Sequence, residues 1–374
     1  MISRAAIPRA AAIVAVVTVL AVVAGCRRKP EFSLLEPAIH TFGDKDGEPR
    51  KIVVVPTLDT PLVKGKSAIW CSSFQAAWNE LAKLSGEPLE VENAKAVADR
   101  LNRAPEPTAD LPEGAWYAAA GMVKEGVIER IRKEMKARFP WYSMPEFKVP
   151  SDAIAAAYAF IAAEVKFETA YFDEGEMDFR SSSGAITPVI VFGVREWHHD
   201  DRSRKMREQV EVLSYEEGPG GPEFVLDLCR ESRPSQILVA KLKLEESLAS
   251  TVKRVEEISK PQGPIREEDE LLVPRMSFLL EHHFRELEGM DKVIRNGSLA
   301  GNPILMAWQS IRFELNEGGA KLTSEARIAV GAKAAEQPRR FLLDGPFLVI
   351  LKKRGAKSPF FVVWVDDVEL LLWV

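Results

Sequence analysis

Eight short runs crowd the second half of this 374-residue chain, each rich in β-branched or aromatic residues: Thr187–Glu196, Glu208–Tyr215, Glu223–Leu228, Ser235–Leu242, Glu270–Phe278, Gln309–Asn316, Gly345–Lys353 and Pro359–Asp367. Turn-forming stretches such as Glu217–Pro222 (EGPGGP) and Ser259–Asp269 (SKPQGPIREED) separate them. Runs of this length and composition, punctuated by Gly and Pro, predict strands. The first half carries a different period. Phe74, Trp78, Leu81 and Leu84 recur at helical spacing before Gly86, and Ala115–Phe139 keeps the same period for longer, so helices are expected over both. Helices first and strands later argue for an α+β fold, with a helical N-terminal part and a β-rich C-terminal part, over a βαβ winding. No repeat at a fixed period and no low-complexity segment interrupts this order.

The amino terminus has a separate purpose. Arg4 and Arg9 precede an apolar run from Ala10 to Ala24 broken only by Thr18, and VAGC follows at Val23–Cys26. The run is short for a membrane span and has the make-up of a secretion signal. A small-residue cleavage site followed at once by Cys is the bacterial lipoprotein pattern, with Cys26 acylated as the first mature residue. Residues 1–25 then form the signal, 26–48 a membrane tether and 49–374 one domain in a bacterial envelope, extracytoplasmic and lipid-anchored. Taking Arg4 and Arg9 away leaves 48 basic residues against 55 acidic ones, a net charge of -7, which gives nucleic acid no basic surface to bind. With 46% hydrophobic residues the remaining chain can bury a substantial core. Cys71 and Cys229 are the other two cysteines; an oxidising envelope permits a disulfide, and buried apolar thiols are the commoner outcome.

A search for chemistry returns little. WHHDD (Trp197–Asp201) and EHHF (Glu281–Phe284) hold four of the five histidines, yet neighbouring histidines on a strand point to opposite faces, and neither cluster has the i, i+4 pairing that brings two imidazoles to one ion. No metal site, cofactor site or catalytic residue is therefore assigned. There is no G-x-S-x-G elbow, Walker loop or dinucleotide fingerprint, and nothing gives a positive reason to call the chain an enzyme.

One stretch sets a puzzle. In AKLTSEARIAVGAK the even positions are Ala320, Leu322, Ser324, Ala326, Ile328, Val330 and Ala332, and the odd ones Lys321, Thr323, Glu325, Arg327, Ala329, Gly331 and Lys333. A small or apolar face opposes a mostly polar one, the period of a half-buried strand, although Ala is a poor strand former.

The flanks of this stretch resemble the serpin family. SIRFELNEGG (Ser310–Gly319) resembles the strand and hinge that precede that family's reactive loop; FLLDGPFLVIL (Phe341–Leu351) resembles its re-entry, and SPFFVVWVDDVEL (Ser358–Leu370) its last strand. Upstream, Leu271–Met290 resembles the Pro-Arg-Phe strand with a helix after it, and Phe224–Val255 the hairpin and helix before that; Lys166–Asp173 is a fainter echo. The resemblance implies a large mixed sheet with Ser310–Gly319 as a strand inside it and an exposed loop at about 320–340. It implies a hinge at Glu317, Gly318, Gly319 and Ala320, and a scissile bond at Lys333–Ala334, with Ala335 as the margin of the count. The pattern of Ala320–Lys333 then acquires a use: small residues can slide into a sheet after cleavage, while polar ones keep the intact loop soluble.

Departures from the family pattern bear on inhibition. Leu322 stands where a methyl is usual, Ala159 or its neighbour where a central strand usually has Asn, Gln309 where the strand before the hinge usually has His, and Phe167 where Trp is usual. By propensity alone, Ala153–Phe167 reads as helix. The function implied is that of an envelope-anchored serpin-like peptidase inhibitor, acting as a monomer on a serine or cysteine protease through a cleavable loop and supplying no catalytic group. The alternative is a non-inhibitory binding or scaffold lipoprotein on the same fold. Leu322 further implies that cutting at Lys333 leaves the melting temperature nearly unchanged.

Overall fold

The computed structural model describes residues 40–42, 51–144, 149–317 and 338–373. The α+β class is as expected. In chain order the first part contains β1 (His40–Phe42), β2 (Ile52–Val54), β3 (Ser67–Cys71), α1 (Ser72–Ser85), α2 (Lys95–Arg103), β4 (Trp116–Met122), α3 (Val127–Arg138) and β5 (Ala155–Ile161). Then come β6 (Phe172–Arg180), β7 (Ile186–Val194), α4 (Asp201–Gln209), β8 (Glu211–Glu216), β9 (Glu223–Asp227), β10 (Ser235–Lys241), α5 (Leu248–Ile258), β11 (Glu270–Pro274), β12 (Met276–His283), β13 (Trp308–Leu315), β14 (Arg340–Leu342), β15 (Phe347–Lys353) and β16 (Phe361–Val365).

The largest sheet is mixed and seven-stranded, ordered β2-β3-β16-β15-β10-β9-β8, with β2 and β3 parallel and the other pairs antiparallel. Its central strands carry apolar residues at successive positions because both faces are covered. Phe347, Val349, Leu351, Phe361, Val363 and Val365 enter the main core, while Leu348, Ile350, Val362 and Trp364 enter a second layer. That second layer is closed by Leu248, Val252 and Val255 of α5, whose start is fixed by a capping box between Ser247 and Ser250. A four-stranded sheet, β14-β11-β7-β6, and a three-stranded one, β1-β12-β13, pack on the same main core.

Two expectations from local propensity are overturned in the first half. Ala115–Phe139 is not one helix: β4 occupies Trp116–Met122, Gly126 turns with φ 78, and α3 follows. Ala153–Phe167 is not a helix either, because β5 pairs antiparallel with β4 from Trp116↔Ile161 to Met122↔Ala155. Alanine tolerates both conformations, so tertiary partners decide. Tyr117 on β4 and Ala156 on β5 pack with Val127, Ile128, Ile131 and Met135 of α3, whereas Ala155 and Ile161 pack on the main core. Gly121 permits the fold-back of α3, since a Cβ there would lie 2.9 Å from Arg130 Nη2 and 3.0 Å from Val127.

Three further differences concern the serpin-like segments. Ser310–Leu315 lies within β13, whose only strand partner among the described residues is β12, so it is an edge of the three-stranded sheet and lies outside the large mixed sheet. After β12, residues 284–299 form turns and a single 3-10 turn at Gly297–Leu299 in place of the expected helix. His40–Phe42, inside the expected tether, pairs parallel with Phe278–Leu280 of β12. Cys71 is half-buried, Cys229 buried, and both are free thiols.

Candidate functional site

The segment with the puzzling period leaves β13 at Leu315 and returns to the described structure at Pro338. Gly318, Gly319, Ala320, Lys333 and Ala334 lie outside the described residues, as does Cys26. Glu317, the one expected hinge residue inside them, is held from two sides. Its carbonyl accepts from the Tyr171 N–H at 3.2 Å, and its carboxylate lies 2.8 Å from Arg275 Nη2, which is 3.1 Å from Asp173. Arg275 thereby ties the departing chain to the turn between β11 and β12.

The returning end is held by a second set of charges. Arg339 grips fully buried Asp269 with Nη2 at 2.6 Å and Nε at 3.0 Å, while Arg340 Nη2 lies 3.1 Å from Glu270. Parallel pairing of β14 with β11 puts Arg340 opposite Glu270 and Phe341 opposite Leu271, so two adjacent acids meet two adjacent arginines. Phe341 is buried between Tyr215, at 5.1 Å between ring centroids, and Phe224, at 5.3 Å. Farther on, Asp344 pairs with Lys241 and its carbonyl accepts from the Arg180 N–H at 2.9 Å. Sequence reasoning assigned no role to Arg275 or to the Asp269–Glu270 and Arg339–Arg340 pairs. The only signal was the juxtaposition of an acidic and a basic doublet, one at the start of each of two strands.

Between these anchors lie two open strand edges. Among the described residues β5 pairs only with β4, and β13 only with β12, yet both pack against α1. An open edge presents unpaired N–H and C=O groups, a template for an added strand. Beneath them, at the start of α1, is a buried polar cluster. Gln309 Nε2 donates to the Cys71 carbonyl at 3.1 Å and to Ser73 Oγ at 2.8 Å, and Gln75 Nε2 donates to Asn79 Oδ1 at 2.7 Å and the Leu101 carbonyl at 2.8 Å. Gln309 Oε1, Gln75 Oε1 and Ser72 Oγ have no hydrogen-bond partner among the described residues, a condition that costs about 1–3 kcal/mol per group. Gln309 thus occupies the polar position expected of it. Ala159 faces Ala118 across the β4–β5 ladder and brings no polar group. Phe167 is buried edge-on to Tyr171 at 4.9 Å. Burial pushes the thiol of Cys71 and the phenol of Tyr171 up from their usual ranges.

The histidine clusters hold no metal-type arrangement: among the described residues no three His, Cys, Asp or Glu side chains converge. Each of three histidines instead meets one carboxylate. His198 Nε2 is 3.1 Å from Glu174, His199 Nδ1 is 3.4 Å from Glu267, and His283 Nδ1 is 2.7 Å from Glu288. Among the described residues no helix is long and apolar enough to cross a membrane.

No protein-family model and no curated protein matches the chain. Solved structures to which it is similar include thyroxine-binding globulin in complex with thyroxine, at 10% identity over 82% of this chain and 94% of that one, with a TM-score of 0.48. The thermophilic serpin tengpin in its native state is similar at 12% identity over 82% and 90%, TM-score 0.48. The mouse protein-Z dependent protease inhibitor is similar at 12% identity over 80% and 91%, TM-score 0.47. These are serpins, and the likeness is one of fold.

Proposed function

We propose that the chain is a serpin-like peptidase inhibitor whose reactive segment spans residues 318–337. The observation that carries this reading is the pair of open edges, β5 and β13, lying over the same helix where β13's own continuation begins. A strand written with the alternation of Ala320–Lys333 can pair with both edges at once. In this mechanism the nucleophile of a serine or cysteine protease attacks the carbonyl of Lys333, and the Lys333–Ala334 bond breaks to leave an acyl-enzyme. Insertion of the freed segment then drags the protease out of register before water completes hydrolysis. The inhibitor contributes anchoring and stored strand-forming energy. Arg339 and Arg340 keep the returning end in place while the departing end moves.

Purified protein mixed with trypsin should give an SDS-stable covalent complex cut at or next to Lys333, while plain cleavage without a complex would show a substrate and end the inhibitory reading. A second reading, a non-inhibitory scaffold on the same fold, is favoured by the atoms of Gln309, Gln75 and Ser72 that lack partners among the described residues: the polar cluster under the gap is incomplete there. Absence of the complex from both trypsin and elastase mixtures would select it.

The envelope location belongs to the same proposal. Lipidation of Cys26 is supported by VAGC after the apolar leader, and mass analysis of the mature amino terminus should find an acylated Cys. The parallel register of β1 with β12 brings the chain in at the Phe278 end, the end at which β13 finishes opposite Met276. A tether from Cys26 to His40, at most about 50 Å when extended, would then leave from the loop end of the domain and hold the reactive segment near the membrane.

A further inference from the structure

Trp197 is 60% exposed, an unusual place for the largest apolar side chain, and its surroundings are rigid. It sits in the connection between β7 and α4, whose backbone is fastened from below. Arg207 of α4 is buried and donates to the His198 carbonyl at 2.7 Å and to the Arg195 carbonyl at 2.9 Å, one on each side of the tryptophan. The Arg195 guanidinium lies 5.2 Å from the Trp197 ring centroid and is held by buried Glu174 at 3.3 Å and buried Glu270 at 3.2 Å. His198, fixed by Glu174, stacks on Phe172 at 4.3 Å, and Arg202 covers the Phe172 ring at 4.6 Å.

This platform touches both ends of the reactive segment. Arg202 donates to the Tyr171 carbonyl at 3.4 Å, and the Tyr171 N–H donates to Glu317, the departing end. Glu270, which holds Arg195, also holds Arg340 at the returning end. A solvated tryptophan whose neighbours are already immobilised loses little conformational freedom on binding, and exposed Trp and Arg are the residue types that dominate binding energy at protein interfaces.

We infer that Trp197, with Arg195 beneath it and His198 and Arg202 beside it, is a second contact surface for the trypsin-like protease that cuts the segment. The inference rests on the inhibitory reading above and adds to it a determinant of which protease is taken. The platform adds affinity in the encounter complex and touches no reacting atom. Its removal therefore slows capture without changing the chemistry at Lys333.

The test uses the full chain in detergent, with trypsin as the probe and a synthetic peptide of residues 326–340 as a reference substrate that lacks the platform. Trp197→Ala should lower kcat/KM for cleavage within residues 318–337 about tenfold through KM, with kcat unchanged, and Trp197→Phe should recover most of the loss. Melting temperatures of the three proteins should agree within a few degrees, and the wild-type chain should be cut with a lower KM than the peptide. Equal KM values for wild type and Trp197→Ala would overturn the platform while leaving the inhibitory reading intact. A wild-type chain left uncut in this segment would instead remove the inhibitory reading, and the platform with it.

Discussion

The seven-stranded sheet and the pair β4–β5 are built from the same kind of hydrogen-bonded ladder and differ in what surrounds it. In the large sheet β15 and β16 have strand neighbours on both sides and side chains buried on both faces. Among the described residues β5 has one strand neighbour, and six of its seven residues are only partly buried. The first region is where folding stability is concentrated; the second keeps an edge open and is suited to accept another strand. A protein that must hold together while one sheet changes its strand number separates these properties in space.

The contrast predicts unequal responses to the same substitution. Phe347→Ala, in the large sheet, should lower unfolding free energy by about 3–5 kcal/mol, and Phe160→Ala, half-buried on β5, by about half as much. Denaturant unfolding monitored by circular dichroism measures both, and equal losses would break the comparison.

The anchor of the returning end comes next. Arg339→Ala leaves the fully buried Asp269 carboxylate without its guanidinium and should cost about 3 kcal/mol. The loss should appear as faster proteolysis on the C-terminal side of the segment as well as a lower melting temperature. A variant as stable as wild type would mean that β14 is held by Phe341 alone.

Alkaline titration separates the regions by chemistry. All five tyrosines are raised from their ordinary phenol value, Tyr117, Tyr142 and Tyr158 around β4–β5 and Tyr171 and Tyr215 elsewhere, with burial the largest cause in each. Tyr215 is pushed up to about 12, by burial and then by its hydrogen bond to Glu217. A phenol raised in the folded state stabilises that state fully below the unfolded value of about 10, and the contribution is lost as pH rises through the folded value. Stability should therefore fall between about pH 10 and about pH 12, and phenolate absorbance should appear late and together with unfolding. Three tyrosines ionising near pH 10 in otherwise folded protein would show that the β4–β5 layer opens independently.

The smallest effect is expected from cutting the segment itself. Leu322 must enter a space suited to a methyl, and overpacking of that kind costs about 1–3 kcal/mol, enough to offset several new strand contacts. Calorimetry of intact and cleaved protein should show a shift of no more than a few degrees, and Leu322→Ala should enlarge it. A large rise in the unmutated protein would mean that the gap accepts leucine without strain.

Much of the β-rich half was legible in the sequence because its information is local. The β9–β10 and β15–β16 neighbours are joined by short connections, and their alternate residues were visibly apolar on both faces. The capping serine of α5 and the Gly86 stop of α1, at φ 92, follow equally from nearby residues. The hinge position of Glu317 was legible from its flanking motifs, whereas its partner Arg275 was not.

By itself, then, the sequence determined which segments are amphipathic, which are buried on both faces and where the chain turns, since periodicity and turn chemistry act over a few residues. Only the tertiary structure decided that the alanine-rich runs of β4 and β5 are strands, that Asp269 and Glu270 meet Arg339 and Arg340 across 70 residues, and that β13 ends as an open edge among the described residues. Alanine carries too weak a preference to choose its own conformation, and an edge is defined by which neighbour is missing. That is a property of how distant segments assemble, and no short stretch of sequence can carry it.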